Sequence, residues 1–148
     1  MVEMKLQVVG ESVLFRVMDP LVHFEIPVDD LGRARKFYGE IFGWKLTDWP
    51  MPDGSTFVGV HTTPIDEKTR LPLKPGAING GILKRTKNVK APVFAINVAS
   101  IDQRVKQVEA AGGKVLMPKM DMMGMGFYAY VSDCEGNVIG LWEDAKKK

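Results

Sequence analysis

Along residues 21–28 (LVHFEIPV) side chains divide by a period of two, with Leu21, His23 and Glu25 on one side and Val22, Phe24, Ile26 and Val28 on the other. That pattern predicts a strand. The period then lengthens: Asp30 is placed to cap a helix whose apolar positions are Leu31, Ala34, Phe37, Tyr38, Ile41 and Phe42, and Gly43 ends it. Residues 44–49 and 55–62 are strand-like and are separated by Pro50, Pro52, Asp53 and Gly54. A loop carrying Pro64, Pro72 and Pro75 leads to a further strand within residues 77–84.

The same order returns. Residues 92–98 (PVFAINV) form a strand pattern, and Ser100-Ile101-Asp102-Gln103 has the form of a capping box before apolar Ile101, Val105 and Val108. Gly112-Gly113 stops that helix. Strand-like residues 114–117, the methionine-rich loop KMDMMGMG, alternating residues 127–131, the turn DCEGN and a last strand at 138–142 follow. Val28, Leu31 and Gly43 answer to Val98, Ile101 and Gly113 at one constant offset. One βαβββ unit therefore occurs twice, at 21–85 and 91–143. A sheet covered by a single helix cannot bury both faces alone, so the copies must combine into one α+β domain. Ahead of them, MKLQVVGESVLFRV alternates around a Gly-Glu pair and predicts an added hairpin within residues 1–20. Residues 144–148 read as a basic tail.

Composition narrows the class. With 148 residues, 45% hydrophobic, 26% charged and a formal net charge of +2, the chain has the balance of a globular protein with one well-buried core. The basic stretches Lys84–Lys90 and Lys146–Lys148 lack aromatic platforms and read as solvated segments, so no nucleic-acid partner is expected. Cys134 is the single cysteine, which excludes an intrachain disulfide and a cysteine zinc site and fits a reducing, cytoplasmic setting. No apolar run approaches the roughly 18 residues that span a bilayer, so no membrane association is expected.

The segments HFEIPVDD…ARKFYGEIFGW (His23 to Trp44), NGGILKR (Asn79 to Arg85) and GMGFYAYVSDCEGNVIGLWE (Gly124 to Glu143) resemble the vicinal oxygen chelate superfamily. This is the glyoxalase, bleomycin-resistance and extradiol-dioxygenase group, and the match is to its glyoxalase-related branch. The resemblance implies one cup-shaped domain with a concave active site. In metal-dependent members, His and Glu or Gln side chains hold a divalent cation that bridges two substrate oxygens. Carried over by position, those ligands fall on His23, Gly81, Val93 and Gly140. One imidazole among two glycines and a valine cannot hold a divalent cation, so no metal and no cofactor are expected. A true lactoylglutathione lyase activity is not expected either.

His23 and Glu25 point together into the cup by alternation. Three readings stay open: a hydrogen-bonded structural pair, a ligand-binding or acid/base pair, and two ligands of a nonstandard metal site completed by His61. Loss of bulky ligands at Gly81, Val93 and Gly140 suggests an enlarged apolar pocket, further lined by His61, Asn97 and Trp142. Met117, Met120, Met122, Met123 and Met125 are adaptable enough to lid an apolar ligand or to fill core. Glu143, an odd number of residues from Gly140, should face outward on the opposite side. Cys134 has no activating neighbour in sequence and no assigned role. The expectation is a glyoxalase-related homodimer that binds a small, partly apolar molecule. It either transfers a proton through His23 and Glu25 or merely sequesters the ligand.

Overall fold

A computed structural model describes residues 4–9 and 12–146, with side chains over 18–146. Strands β1 (Met4–Val9) and β2 (Ser12–Val17) pair antiparallel in a sheet of their own, and the expected Gly10-Glu11 turn between them lies outside the described residues. Module 1 comprises β3 (Leu21–Val28), α1 (Leu31–Phe42), β4 (Lys45–Pro50), β5 (Thr56–His61) and β6 (Gly80–Lys84). Module 2 comprises β7 (Val93–Asn97), α2 (Ile101–Ala110), β8 (Lys114–Asp121), β9 (Gly126–Ser132) and β10 (Val138–Asp144).

Both modules contribute four strands to one open sheet of order β4-β5-β6-β3-β7-β10-β9-β8. Each first strand runs parallel to its own last strand, β3 with β6 and β7 with β10. The modules meet where β3 and β7 pair antiparallel, with His23 opposite Ala95 and Glu25 opposite Val93. Two βαβββ units therefore share one sheet, in agreement with the duplicated pattern.

Local chemistry sets the helix ends. Asp30 accepts the Arg33 amide at 2.9 Å, and Gly43 takes the left-handed φ of 69° that closes α1. Ser100 accepts the Gln103 amide at 3.2 Å to start α2. Glu143 corrects its expected outward position. It does lie on the helix side of the sheet, but it is buried there, and its Oε1 accepts the Ile101 amide at 2.7 Å. Lys119 lies 3.5 Å from its other oxygen. A carboxylate in the first turn of α2 meets orphan amides and the positive end of the helix dipole.

Both helices cover the same face. Beneath α1, Ala34, Val58, Val60 and Ile82 are buried with Phe24, Leu31, Tyr38 and Trp44 around them. Beneath α2 lie Val98, Ile101, Ala129, Val131 and Leu141. Fully burying an Ile such as Ile82 or Ile101 stabilises by about 1.5–3 kcal/mol. The apolar stripe of α1 is wider than its contact: Phe37, Ile41 and Phe42 remain exposed at 54%, 63% and 56%. β8 also runs past the expected boundary to Asp121, because its zigzag pairs with β9 through two irregularities.

Candidate functional site

The face opposite the helices is concave and carries the chemistry. Glu25 is 3% exposed, and its Oε2 accepts the Tyr130 hydroxyl at 2.6 Å. β3 supplies the carboxylate and β9 the phenol, so the pair joins the two modules. Burial pushes the Glu25 carboxyl above its ordinary range, opposed by the nearby Tyr128 hydroxyl, which lies outside hydrogen-bond geometry, and by the hydrogen bond from Tyr130. Both phenols are in turn pushed up, first by burial and then by the charge of Glu25.

Tyr128 differs from Tyr130 in one respect. Its hydroxyl is buried with no hydrogen-bond partner among the described residues. A buried hydroxyl normally finds a partner, because leaving it unpaired costs about 1–3 kcal/mol. His23 completes the cluster, its ring stacked on Phe57 at 6.5 Å and edge-on to Tyr128 at 6.4 Å. Burial lowers its pKa from 6.5 to about 4, so the imidazole is neutral at neutral pH.

The positions of the family's cation ligands are occupied here by groups that leave no cation site among the described residues. A β-carbon at Gly81 would lie 1.9 Å from Cζ of Phe57, and one at Gly140 would lie 1.9 Å from Oη of Tyr128. Val93 is buried in an apolar cluster with Val89, Ala95, Tyr128 and Tyr130. The donor set thus offers a single nitrogen, and aromatic rings stand where two oxygens would have come from. Among the described residues no group of three His, Cys, Asp or Glu side chains is placed to hold a metal. These residues do not fit the family's metal, and His61 does not complete a nonstandard one with His23 and Glu25.

The expected enlargement at the glycines is corrected by the same observation. Phe57 and Tyr128 reach over from the adjacent strands and fill the space beside Gly81 and Gly140. Asn97 donates to the Trp142 carbonyl and to Asp144, both at 3.2 Å, while Trp142 Nε1 donates to Asp144 at 2.8 Å. These candidate lining residues are engaged with one another at the sheet end. His61 lies apart, in an open cleft of about 620 Å³ that none of Gly81, Val93, Asn97, Gly140 or Trp142 lines. Met117 and Met122 pack on the apolar cluster, whereas Met120, Met123 and Met125 are exposed. Tyr128 and Tyr130 are site residues that the sequence shows only as part of the alternating stretch 127–131. Their signal is the alternation of β9, which sends both to the face of Glu25.

A family model described as bleomycin resistance protein-like N-terminal matches residues 21–63. CFP32 of Mycobacterium tuberculosis (strain CDC 1551 / Oshkosh), named as a candidate glyoxylase, is 29% identical over 122 residues, covering 80% of this chain and 43% of the relative. The anthracycline biosynthesis protein DauV of Streptomyces sp. (strain C5) is 30% identical over 129 residues, covering 80% and 45%. The chain therefore spans less than half the length of these relatives. A glyoxylase-like domain-containing protein of Didymella fabae is 29% identical over 125 residues, with 79% and 88% covered. Among solved structures, hypothetical protein BH1468 of Bacillus halodurans C-125 aligns with a TM-score of 0.61 at 16% identity, over 88% of this chain and 97% of that one. Streptomyces coelicolor methylmalonyl-CoA epimerase, in complex with 2-nitronate-propionyl-CoA, aligns at 0.60 and 17%, over 85% and 97%. With its paired βαβββ modules and a first module that matches the bleomycin-resistance-like family, the chain has the fold of the vicinal oxygen chelate proteins.

Proposed function

We propose that the protein binds a small, partly apolar carbonyl compound on the concave face and moves a proton on it using its own side chains. The observation that carries this reading is the buried Glu25 carboxylate, with Tyr130 bonded to it and the unpartnered Tyr128 hydroxyl beside it. A carboxyl raised by burial is a better proton acceptor at neutral pH than an exposed one. In this scheme Glu25 takes a proton from the carbon next to the carbonyl. The electron pair of the broken C–H bond moves to the carbonyl oxygen, where the Tyr128 O–H donates to the developing charge. Glu25 then returns the proton. Tyr130 positions the carboxylate, and neutral His23 offers a hydrogen bond without a competing charge.

The test is solvent exchange. The protein is incubated in D₂O with a panel of α-hydroxyketones, and deuterium at the α-carbon is followed by NMR. Wild type should exchange a member of the panel faster than Glu25→Gln by about a hundredfold; equal rates remove Glu25 from the chemistry. A second reading, a sequestering module without turnover, is favoured by the 3% exposure of Glu25, which limits direct access to it. Saturable binding with no exchange would select that reading.

A further inference from the structure

The outer strands of module 1 build a second feature. β4 and β5 pair so that Lys45 stands opposite His61, Thr47 opposite Gly59 and Trp49 opposite Phe57. Leu46, Val58 and Val60, at the intervening positions, pack toward α1, which leaves the first set on the concave face. Gly59 matters because it has no side chain: a β-carbon there would lie 2.8 Å from Nε1 of Trp49. The indole rests on the sheet in that space and is 43% exposed above it.

A braced loop forms the opposite wall. At its base the Thr62 amide donates to Asn79 Oδ1 and the Thr62 hydroxyl to the Ile78 carbonyl, each at 2.8 Å. At its tip Ile65 bridges to Pro72, and Asp66 Oδ1 accepts the amides of Lys68 and Thr69 at 2.9 and 2.8 Å. This turn holds Arg70 at a φ of 64°. A non-glycine residue in the left-handed region costs roughly 1–2 kcal/mol, and such strain is retained where surrounding bonds over-determine it. The loop therefore presents Arg70 at a fixed place rather than on a loose arm.

Between wall and sheet lies the open cleft of about 620 Å³, lined among others by Lys45, Thr47, Trp49, His61, Thr63 and Arg70. Two cations and one acid, Glu67, border it. Arg35, Arg85, Arg104 and Lys119 each pair with an acid, whereas neither Lys45 nor Arg70 has an ion-pair partner among the described residues. Both cations act on His61: after burial, their charges are what lower its pKa. Asp66, four residues before Arg70, has its carboxylate committed to the turn.

We propose that this cleft is a binding site for a small organic anion with a flat apolar body, the carboxylate received by Lys45 and Arg70 and the body laid on Trp49. Arginine offers a carboxylate two parallel N–H donors, lysine adds a point charge, and an indole face supplies apolar area. Thr47 and Thr63 furnish hydroxyls for further oxygens. The site is distinct from the Glu25 cluster, since His23, Glu25, Tyr128 and Tyr130 do not line it, and it does not depend on the proton-transfer reading.

The full chain is titrated with 2-naphthoate by calorimetry, beside the neutral analogue 2-naphthalenemethanol. Naphthoate should bind saturably and the alcohol at least about tenfold more weakly, the scale of one charge-assisted hydrogen bond. Arg70→Gln and Lys45→Gln should each lose about tenfold in affinity, while Lys106→Gln, an exposed cation on α2, should match wild type. Trp49→Leu should weaken both ligands alike. No binding of naphthoate by folded wild type, equal affinity for acid and alcohol, or Arg70→Gln and Lys45→Gln behaving as Lys106→Gln would each overturn the proposal.

Discussion

Replacing His23 by Gln tests the electrostatics of the concave face with little change in shape. The folded imidazole has a pKa of about 4, against 6.5 when unfolded. In that interval the unfolded chain binds the proton and the folded chain does not, so stability rises with pH from about 4 to 6.5 and is level above. The loss on acidification integrates to about 2 kcal/mol at pH 5 and about 3 kcal/mol at pH 4. Glu25 acts in the opposite sense. Its raised carboxyl holds a proton more tightly in the folded state, so its contribution declines as pH rises from 4.5 through the higher folded value. His23→Gln retains that second effect and removes the first. Urea unfolding at pH 7, 5 and 4 should show wild type and variant within about 1 kcal/mol at pH 7, with the variant losing about 2 kcal/mol less at pH 5. Parallel stability profiles from pH 7 to 4 would refute a buried, neutral His23.

The two phenols should separate. Tyr130→Phe should destabilise by about 1.5–3 kcal/mol and raise the Glu25 titration further, because it removes a hydrogen bond to a carboxylate. Tyr128→Phe should lie within about 1 kcal/mol of wild type or stabilise, since it deletes a buried hydroxyl without a partner; chemical denaturation of both variants checks the order. Gly140→Ala should cost about 1–3 kcal/mol, as its β-carbon meets the Tyr128 hydroxyl, and less in a Tyr128→Leu background. Glu143→Gln should cost about 1 kcal/mol by weakening the charge at the start of α2, readable as a lowered Tm.

The fold was legible because its signals are local and repeated. Period-two strands, Asp30 and Ser100 as caps, Gly43 as a stop and a constant offset between the halves all act over a few residues. The boundary of β8 was less visible, since Lys119 and Asp121 carry no apolar alternation and the strand is held there by its pairing with β9. The site was legible in part. Alternation alone puts His23 and Glu25 on the concave face, and position alone puts glycines where ligands are lost. What occupies the vacated space depends on side chains from the neighbouring strand that are distant in sequence, Phe57 and Tyr128, and no periodicity reports a long-range collision. Arg70 escaped notice for a related reason: its backbone angle is set by a turn, and its proximity to Lys45 by loop closure.

The bond from Tyr130 to Glu25 crosses the seam between β3 and β7, with the acid from one repeat and the phenol from the other. Neither repeat can assemble the cluster by itself. A chain cut between Lys84 and Val93 would thus yield two fragments whose recombination is reported by the ionisation of one carboxyl group.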